Sequence, residues 1–293
     1  MAFKNFKGTV WSAEIERELG RICVFAEDCN TDFEGDVEKC GDSVKILGVG
    51  KPTITLITKG ERKTKLPDVE ELEDASVTMY INQMAVFNYK VDDIDAAQAK
   101  GNVKSALSEE TSEGIADAID RHIAAVCVGN DVVKLFGDTP KKLVSGVAGE
   151  GEINILTMLD ICQQRLYEKD VHKSTAIVAT LTPAAHRLFK EAYRTADTNN
   201  HEELKNGRVG MYNGMIIKMS NNVHKTGTGS SQVTNISVRT RKAVAYANPL
   251  THTEAYRPEK GFADAVKGYS LFQAQVVRPK EAINANVIVP DAV

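Results

Sequence analysis

The sequence predicts an α+β chain, on three observations. Strand-type alternation recurs along much of its length, as in Ala85, Phe87, Tyr89 and Val91. Helical patterns stand between these stretches, the longest running from about Ser105 to Val128. Residues Lys51 to Asp74 carry β-type character and a charged tip, but too few large apolar residues to make a core. An isolated two-stranded hairpin is marginal in water, and a long unsupported loop is normally functional or disordered. A third solution is to fold against another copy of the chain, so the ribbon is a first hint of an assembling protein.

The elements follow in order. Val10, Trp11, Ile15, Leu19, Ile22, Cys23 and Ala26 recur at helical spacing, with Thr9 or Ser12 as cap and Glu14, Arg17, Glu18 and Arg21 on the polar face. Asn30 to Gly50 reads as short strands with turns at Gly35 and Gly41-Asp42, Val44 and Ile46 facing one side. In the ribbon, Ile54, Leu56 and Ile57 alternate with Thr53, Thr55 and Thr58, and Val77, Met79 and Ile81 alternate on the way back. Asp92, Asp93 and Asp95 then cap a helix. The long helix after Gly101-Asn102 carries the stripe Leu107, Ile115, Ala118, Ile119, His122, Ile123 and Val126, with Gly114 as a place to bend. Glycines from Gly129 to Gly151 punctuate a loop that serves as a domain boundary.

A second unit opens with a helix through Ile155, Met158, Leu159, Cys162 and Leu166. Ala176 to Leu181 is a short apolar run, hence a buried strand, and Thr182-Pro183 caps the next helix with proline at its first position. Asn213-Gly214 between Val209–Met211 and Met215–Ile217 signals a hairpin. Lys225 to Gln232 reads as a mobile loop, Ile236 to Val277 as strand after strand, and Pro279 as the end of the sheet.

Composition bounds the function. The chain has 293 residues, enough for one large or two ordinary domains, and a chain of that size buries about 75% of its unfolded surface without staples. It is 42% apolar and 26% charged, ordinary for a soluble globular protein. A net charge of −4 argues against a protein built to grip duplex DNA. No apolar run is long enough for a transmembrane helix, and MAFKNFKGTVW lacks a signal core, so a cytoplasmic chain without membrane contact is expected. Cys23, Cys29, Cys40, Cys127 and Cys162 are odd in number and form no C-x-x-C pair, which reads as free buried thiols.

The residues offer little chemistry. Asp92, Asp93 and Asp95 have the charge for a divalent cation but not the ligand loop of an EF-hand. Lys225-Thr226-Gly227-Thr228-Gly229-Ser230-Ser231 has the composition of a phosphate loop, yet its Lys precedes the glycines and no helical pattern follows. None of His122, His172, His186, His201, His224 and His252 stands at ligand spacing, and His122 reads as a hydrogen-bonded core residue. Aromatics make up only 6%, too few for a single-strand stacking surface. No catalytic residue, cofactor or metal is expected. An enzyme using the three aspartates and the loop at Gly227 is the alternative, and it predicts stabilisation by a bound ligand.

The order of elements resembles the major capsid protein of tailed bacteriophages, the Hong Kong phage type of coat fold, over nearly the whole chain. Val10 to Ile46 resembles the N-terminal arm and the start of the extended loop, and Lys51 to Asp74 falls where the family has its E-loop. Phe87 to Gln98 and the long helix to Val128 resemble the peripheral domain and its spine helix. Ala176 to Ala192 and Gly207 to Val223 are similar to the axial domain, and Phe262 to Ile283 to the closing strands of the peripheral domain. The implied division is 1–30 arm, 31–84 strands and E-loop, 85–145 peripheral domain with spine helix, 146–245 axial domain, and 246–293 return strands.

The resemblance implies a shell protein that assembles as pentamers and hexamers into an icosahedral head around double-stranded DNA. It implies a virion location, assembly in the host cytoplasm, a portal, and only weak nonspecific contact with packaged DNA. An encapsulin-type nanocompartment shell is the alternative within the same fold. Many relatives carry a scaffolding segment ahead of the arm, whereas this arm begins almost at Met1, so a separate scaffolding protein is expected. The E-loop reaches over a neighbouring subunit in the family. Here its tip carries Lys59, Arg62, Lys63 and Lys65 against Glu61, and the following acidic run includes Asp68, Glu70 and Glu71, which implies charged inter-subunit contacts. Some members crosslink an E-loop lysine to a neighbour's asparagine, for which Lys59, Lys63 or Lys65 and Asn284 or Asn286 are the conceivable pairs.

Overall fold

The computed structural model describes residues 23–32, 43–49, 74–92, 103–129, 131–195, 210–258 and 263–290. In chain order the elements begin with β1 (Ser43–Val49), β2 (Asp74–Tyr80), β3 (Gln83–Asp92) and the long helix α1 (Val103–Val126). Short strands β4 (Val133–Lys134), β5 (Lys141–Val144) and β6 (Glu152–Asn154) lead to α2 (Ile155–Glu168), β7 (Ile177–Leu181) and α3 (Pro183–Thr195). Strands follow: β8 (Met211–Tyr212), β9 (Met215–Met219), β10 (Lys225–Thr226), β11 (Val233–Thr240), β12 (Val244–Tyr256), β13 (Ala263–Val276) and β14 (Ala282–Ile288).

β12, β13 and β3 make an antiparallel sheet in that order. Along β3 the side chains alternate as the sequence predicts: Ala85, Phe87 and Tyr89 turn inward, Met84, Val86, Asn88 and Lys90 outward. The register of β12 slips by one residue between Ala247 and Leu250. Asn248-Pro249 occupies the slip, because proline has no N–H for the ladder. At Gly268 a Cβ would stand 2.5 Å from the Phe87 ring and 2.6 Å from the His252 carbonyl, so only glycine fits between them. α1 covers one face of this sheet, burying Ile115, Ile119, Ile123 and Cys127 against Phe272, Ala274 and Tyr246. Ala118, expected on the buried stripe, is exposed, and Ala116 and Ala124 are buried in its place.

The second sheet has nine strands, with the path β6-β5-β14-β11-β7-β9-β8, β10 beside β11 and β4 beside β14. β7 is buried at every position, apolar but for Thr180, and it joins β9 in parallel through the crossover helix α3. Thr182 caps that helix, its Oγ1 accepting from the Ala185 N–H at 3.3 Å, with Pro183 at the first position as expected. Asn213 and Gly214, at φ 47° and 78°, turn β8 into β9. Asn154 caps α2 by accepting from the Leu156 N–H at 2.8 Å. α2 and α3 bury Met158, Leu159, Leu166 and Phe189 against Ile236, Val238, Ile283 and Val287 of the sheet.

Three expectations change. The glycine-rich stretch 129–151 is not a linker: β4 and β5 both pair in parallel with β14 and tie it into the nine-stranded sheet. Pro279 does not end the sheet; a 3-10 turn at Pro279–Glu281 redirects the chain into β14, between β5 and β11. β14 lies in the nine-stranded sheet, whereas β12 and β13 lie in the three-stranded one. The 225–232 stretch is held to β11 by the pairing of Lys225 with Thr234 and Thr226 with Val233.

Candidate functional site

Two structures control how the segments beyond the body leave it. One is the base of the ribbon. β1 and β2 pair antiparallel from Ser43–Tyr80 to Val49–Asp74. The inward residues Val44, Ile46, Met79 and Ile81 pack on Ala245, Ala247 and Leu271, so the base has a small core on the outer face of the three-stranded sheet. Beside it Tyr80, Met84 and Val86 are 54–64% exposed, an apolar patch on a folded surface. Lys59, Arg62, Lys63, Lys65, Asp68, Glu70 and Glu71 all lie outside the described residues, as do positions 1–22 of the expected arm helix.

The other structure is the root of that N-terminal segment. The expected helix does not continue through Cys23 to Ala26; the chain there forms a turn and a 3-10 turn at Ala26–Asp28. Its polar groups explain why it holds. The Asp120 carboxylate, on α1, accepts from the Val24 N–H at 2.8 Å and the Phe25 N–H at 3.0 Å. The buried Arg239 guanidinium, from β11, donates to the Phe25 carbonyl at 3.0 Å and to the Asp28 carbonyl. The amide end of the turn thus meets an anion and the carbonyl end a cation, as its dipole requires. Lys218 of β9 bridges Asp28 at 2.7 Å and Glu27 at 2.6 Å, and Arg241 reaches Asp28 at 3.4 Å. Asn30 closes the set by exchanging backbone bonds with Val244 and Tyr246 of β12. One short segment therefore joins both sheets and α1.

Burial sets the charge states. It raises the Asp120 pKa, against the backbone amides that pull it down. The Lys218 hydrogen bond holds Glu27 below the usual carboxylate range, and the hydrogen bonds that Lys218 donates to Asp28 and Glu27 raise its own pKa against the lowering effect of burial. Burial, reinforced by Asp120 and Asp117, pushes the Cys23 thiol up to about 12, and burial takes Cys29 to about 11. Such thiols stay protonated and inert. Cys23, Cys29, Cys127 and Cys162 are free and buried as expected, while Cys40 lies outside the described residues.

The remaining candidates separate. Asp92 is the last residue of β3, paired with Ala263, and Asp93 and Asp95 lie outside the described residues. Among the described residues no group of three or more His, Cys, Asp or Glu could hold a metal. The Gly227 loop passes through a single 3-10 turn at Gly229–Ser231 into β11, and no α-helix follows it. His122 packs edge-on against Phe272 at 5.5 Å; burial lowers its pKa, and an interaction with the Gln273 side chain opposes that. Asn284 and Asn286 are buried in β14; their amides donate to Asn235 and to the Gly137 carbonyl. No described helix is long and apolar enough to cross a membrane.

Sequence reasoning missed the root. Asp120 carried a signal, a charge between Ile119 and Ile123 on the apolar side of α1. Arg239 carried none, since alternation along β11 sets it with Asn235 and Ser237 on the polar side.

Solved structures share this architecture. A chain of Mycobacterium phage Che8 matches with a TM-score of 0.68 at 21% identity, over 89% of this chain and 90% of that one. The capsid structure of Cyanophage P-SCSP1u matches at 0.66 and 16% identity, over 92% and 89%. A virus-like particle from Pyrococcus furiosus matches at 0.56 and 10% identity, over 94% and 97%. No protein-family model matches the chain, and no curated protein does. The fold is the α+β fold of tailed-phage major capsid proteins. At these identities the likeness is one of fold.

Proposed function

We infer that this chain is a non-enzymatic coat subunit that closes into a shell. The observation that carries this is the extent of the fold match, about nine-tenths of both chains. In this reading the subunits form hexamers and pentamers of an icosahedral phage head around double-stranded DNA. The head is assembled in the host cytoplasm with a separate scaffolding protein and a portal. The domain roles follow the same scheme: ribbon as E-loop, α1 as spine helix, the nine-stranded sheet as the body of an axial domain. An obligate contact of this kind buries more than about 2,000 Å².

The ribbon residues Lys59, Arg62, Lys63, Lys65, Asp68, Glu70 and Glu71 act as inter-subunit contacts in this scheme. Charge reversal at Lys63 and Lys65 is expected to reduce shell yield in electron micrographs; unchanged assembly would remove them from that role. A nanocompartment around protein cargo is the second reading, favoured by the likeness to the Pyrococcus furiosus particle. Absorbance ratios of purified particles separate nucleic-acid from protein contents.

A further inference from the structure

The carboxyl end of α2, the β11–β12 turn and the β13–β14 turn meet around a cleft of about 750 Å³. Lys169, Lys242, Arg278 and Lys280 converge on it from these three places, with His172 at the rim. Its acids are Asp170 and Glu281. Glu281 is already engaged, by the Arg278 guanidinium at 3.0 Å and by the Thr240 hydroxyl. Among the described residues no carboxylate comes within ion-pair distance of Lys169, Lys242 or Lys280. Lys169 alone has a local explanation, since a lysine suits the carbonyl end of α2. Lys242 comes from the β11–β12 turn, and Lys280 from the one-turn 3-10 segment Pro279–Glu281. Their mutual cost is visible at Lys169, whose pKa is lowered first by burial and then by the charges of Arg165 and Lys280.

We propose that this cleft is a binding site for the phosphate backbone of nucleic acid. It deepens the coat reading and rests on it for the presence of nucleic acid beside the subunit. Lysine is depleted from the cores of protein–protein interfaces, whereas phosphate contacts are built from lysine and arginine. A chain with net charge −4 that gathers unpaired lysines in one concavity meets a polyanion locally without gripping it everywhere. Three lysines neutralising one phosphate each make a weak, sequence-independent, salt-sensitive contact.

The test is fluorescence anisotropy of the full-length chain with a short labelled DNA duplex across a salt series. Release of counterions from about three phosphates gives a log–log slope of about −2.7, or about a 40-fold loss of affinity from 50 to 200 mM salt. Lys242→Gln with Lys280→Gln is expected to cut the slope by about two, with an unchanged melting temperature as the folding control. Lys141→Gln, on β5, is expected to leave it unchanged. An unaltered slope in the double variant, or no salt-dependent binding by the parent chain, overturns the proposal. So does a double variant that binds DNA normally but no longer forms shells, which assigns the cleft to an acidic segment of a second copy. The coat reading is scored separately, by whether the parent chain forms particles at all.

Discussion

Arg239 is the largest fully buried side chain among the described residues, and it donates to backbone carbonyls of a segment more than two hundred residues earlier. Arg239→Met would strand the Asp28 carbonyl and leave the Phe25 carbonyl only the Asp28 N–H and the Cys29 thiol as donors. Hydrogen bonds to a charged group contribute roughly 1.5–3 kcal/mol each, so a loss of about 3–5 kcal/mol is expected in urea unfolding. A loss below 1 kcal/mol would mean that the turn at Ala26–Asp28 finds other donors. The same root predicts a pH dependence. Glu27 is held below its ordinary pKa by Lys218, so its contribution is present above the unfolded value and lost as pH falls through the folded one. Lys218 is raised, so its contribution is present below its unfolded value and lost as pH rises through the folded one. Lys218→Met should therefore be less stable than the parent at neutral pH, and the gap should close at strongly acid pH. A gap constant across the acid range would refute the linkage; the expected size is small because Glu27 is largely exposed.

Elements were legible where local chemistry decided them. Thr182-Pro183 announced α3, Asn213-Gly214 announced the β8–β9 turn, and the alternation of β3 gave its faces. Partners far apart in sequence were not legible. The 129–151 stretch has loop composition, yet its short strands are fixed by β14, more than a hundred residues away. β14 itself follows a proline that reads as a stop, and burial of Ile283, Ala285 and Val287 together with pairing to β11, β4 and β5 draws the chain back. The root combines both difficulties, because its cation and anion come from β11 and α1. Two element-scale predictions follow from geometry. Gly268→Ala forces a methyl into the Phe87 ring and the His252 carbonyl and should cost about 1–3 kcal/mol by thermal unfolding. Phe87→Leu in the same chain should recover part of that loss; no recovery would place the strain on the carbonyl. Thr182→Ala should cost about 1 kcal/mol through the lost cap, and a neutral result would mean that Pro183 alone sets the start of α3.

At the scale of the whole molecule, a well-packed body anchors two segments at fixed places. The ribbon leaves from a base with its own small core, beside exposed Tyr80, Met84 and Val86. The N-terminal segment leaves from the root that ties both sheets and α1 together. A body of this kind suits a subunit whose energetics lie in contacts between copies. The most direct measurement is electron microscopy of the full-length chain after size exclusion at high concentration, alone and co-expressed with the proteins encoded beside it. The coat reading predicts closed particles, or hexameric and pentameric arrays, under at least one of these conditions. A chain that stays monomeric under all of them would contradict it.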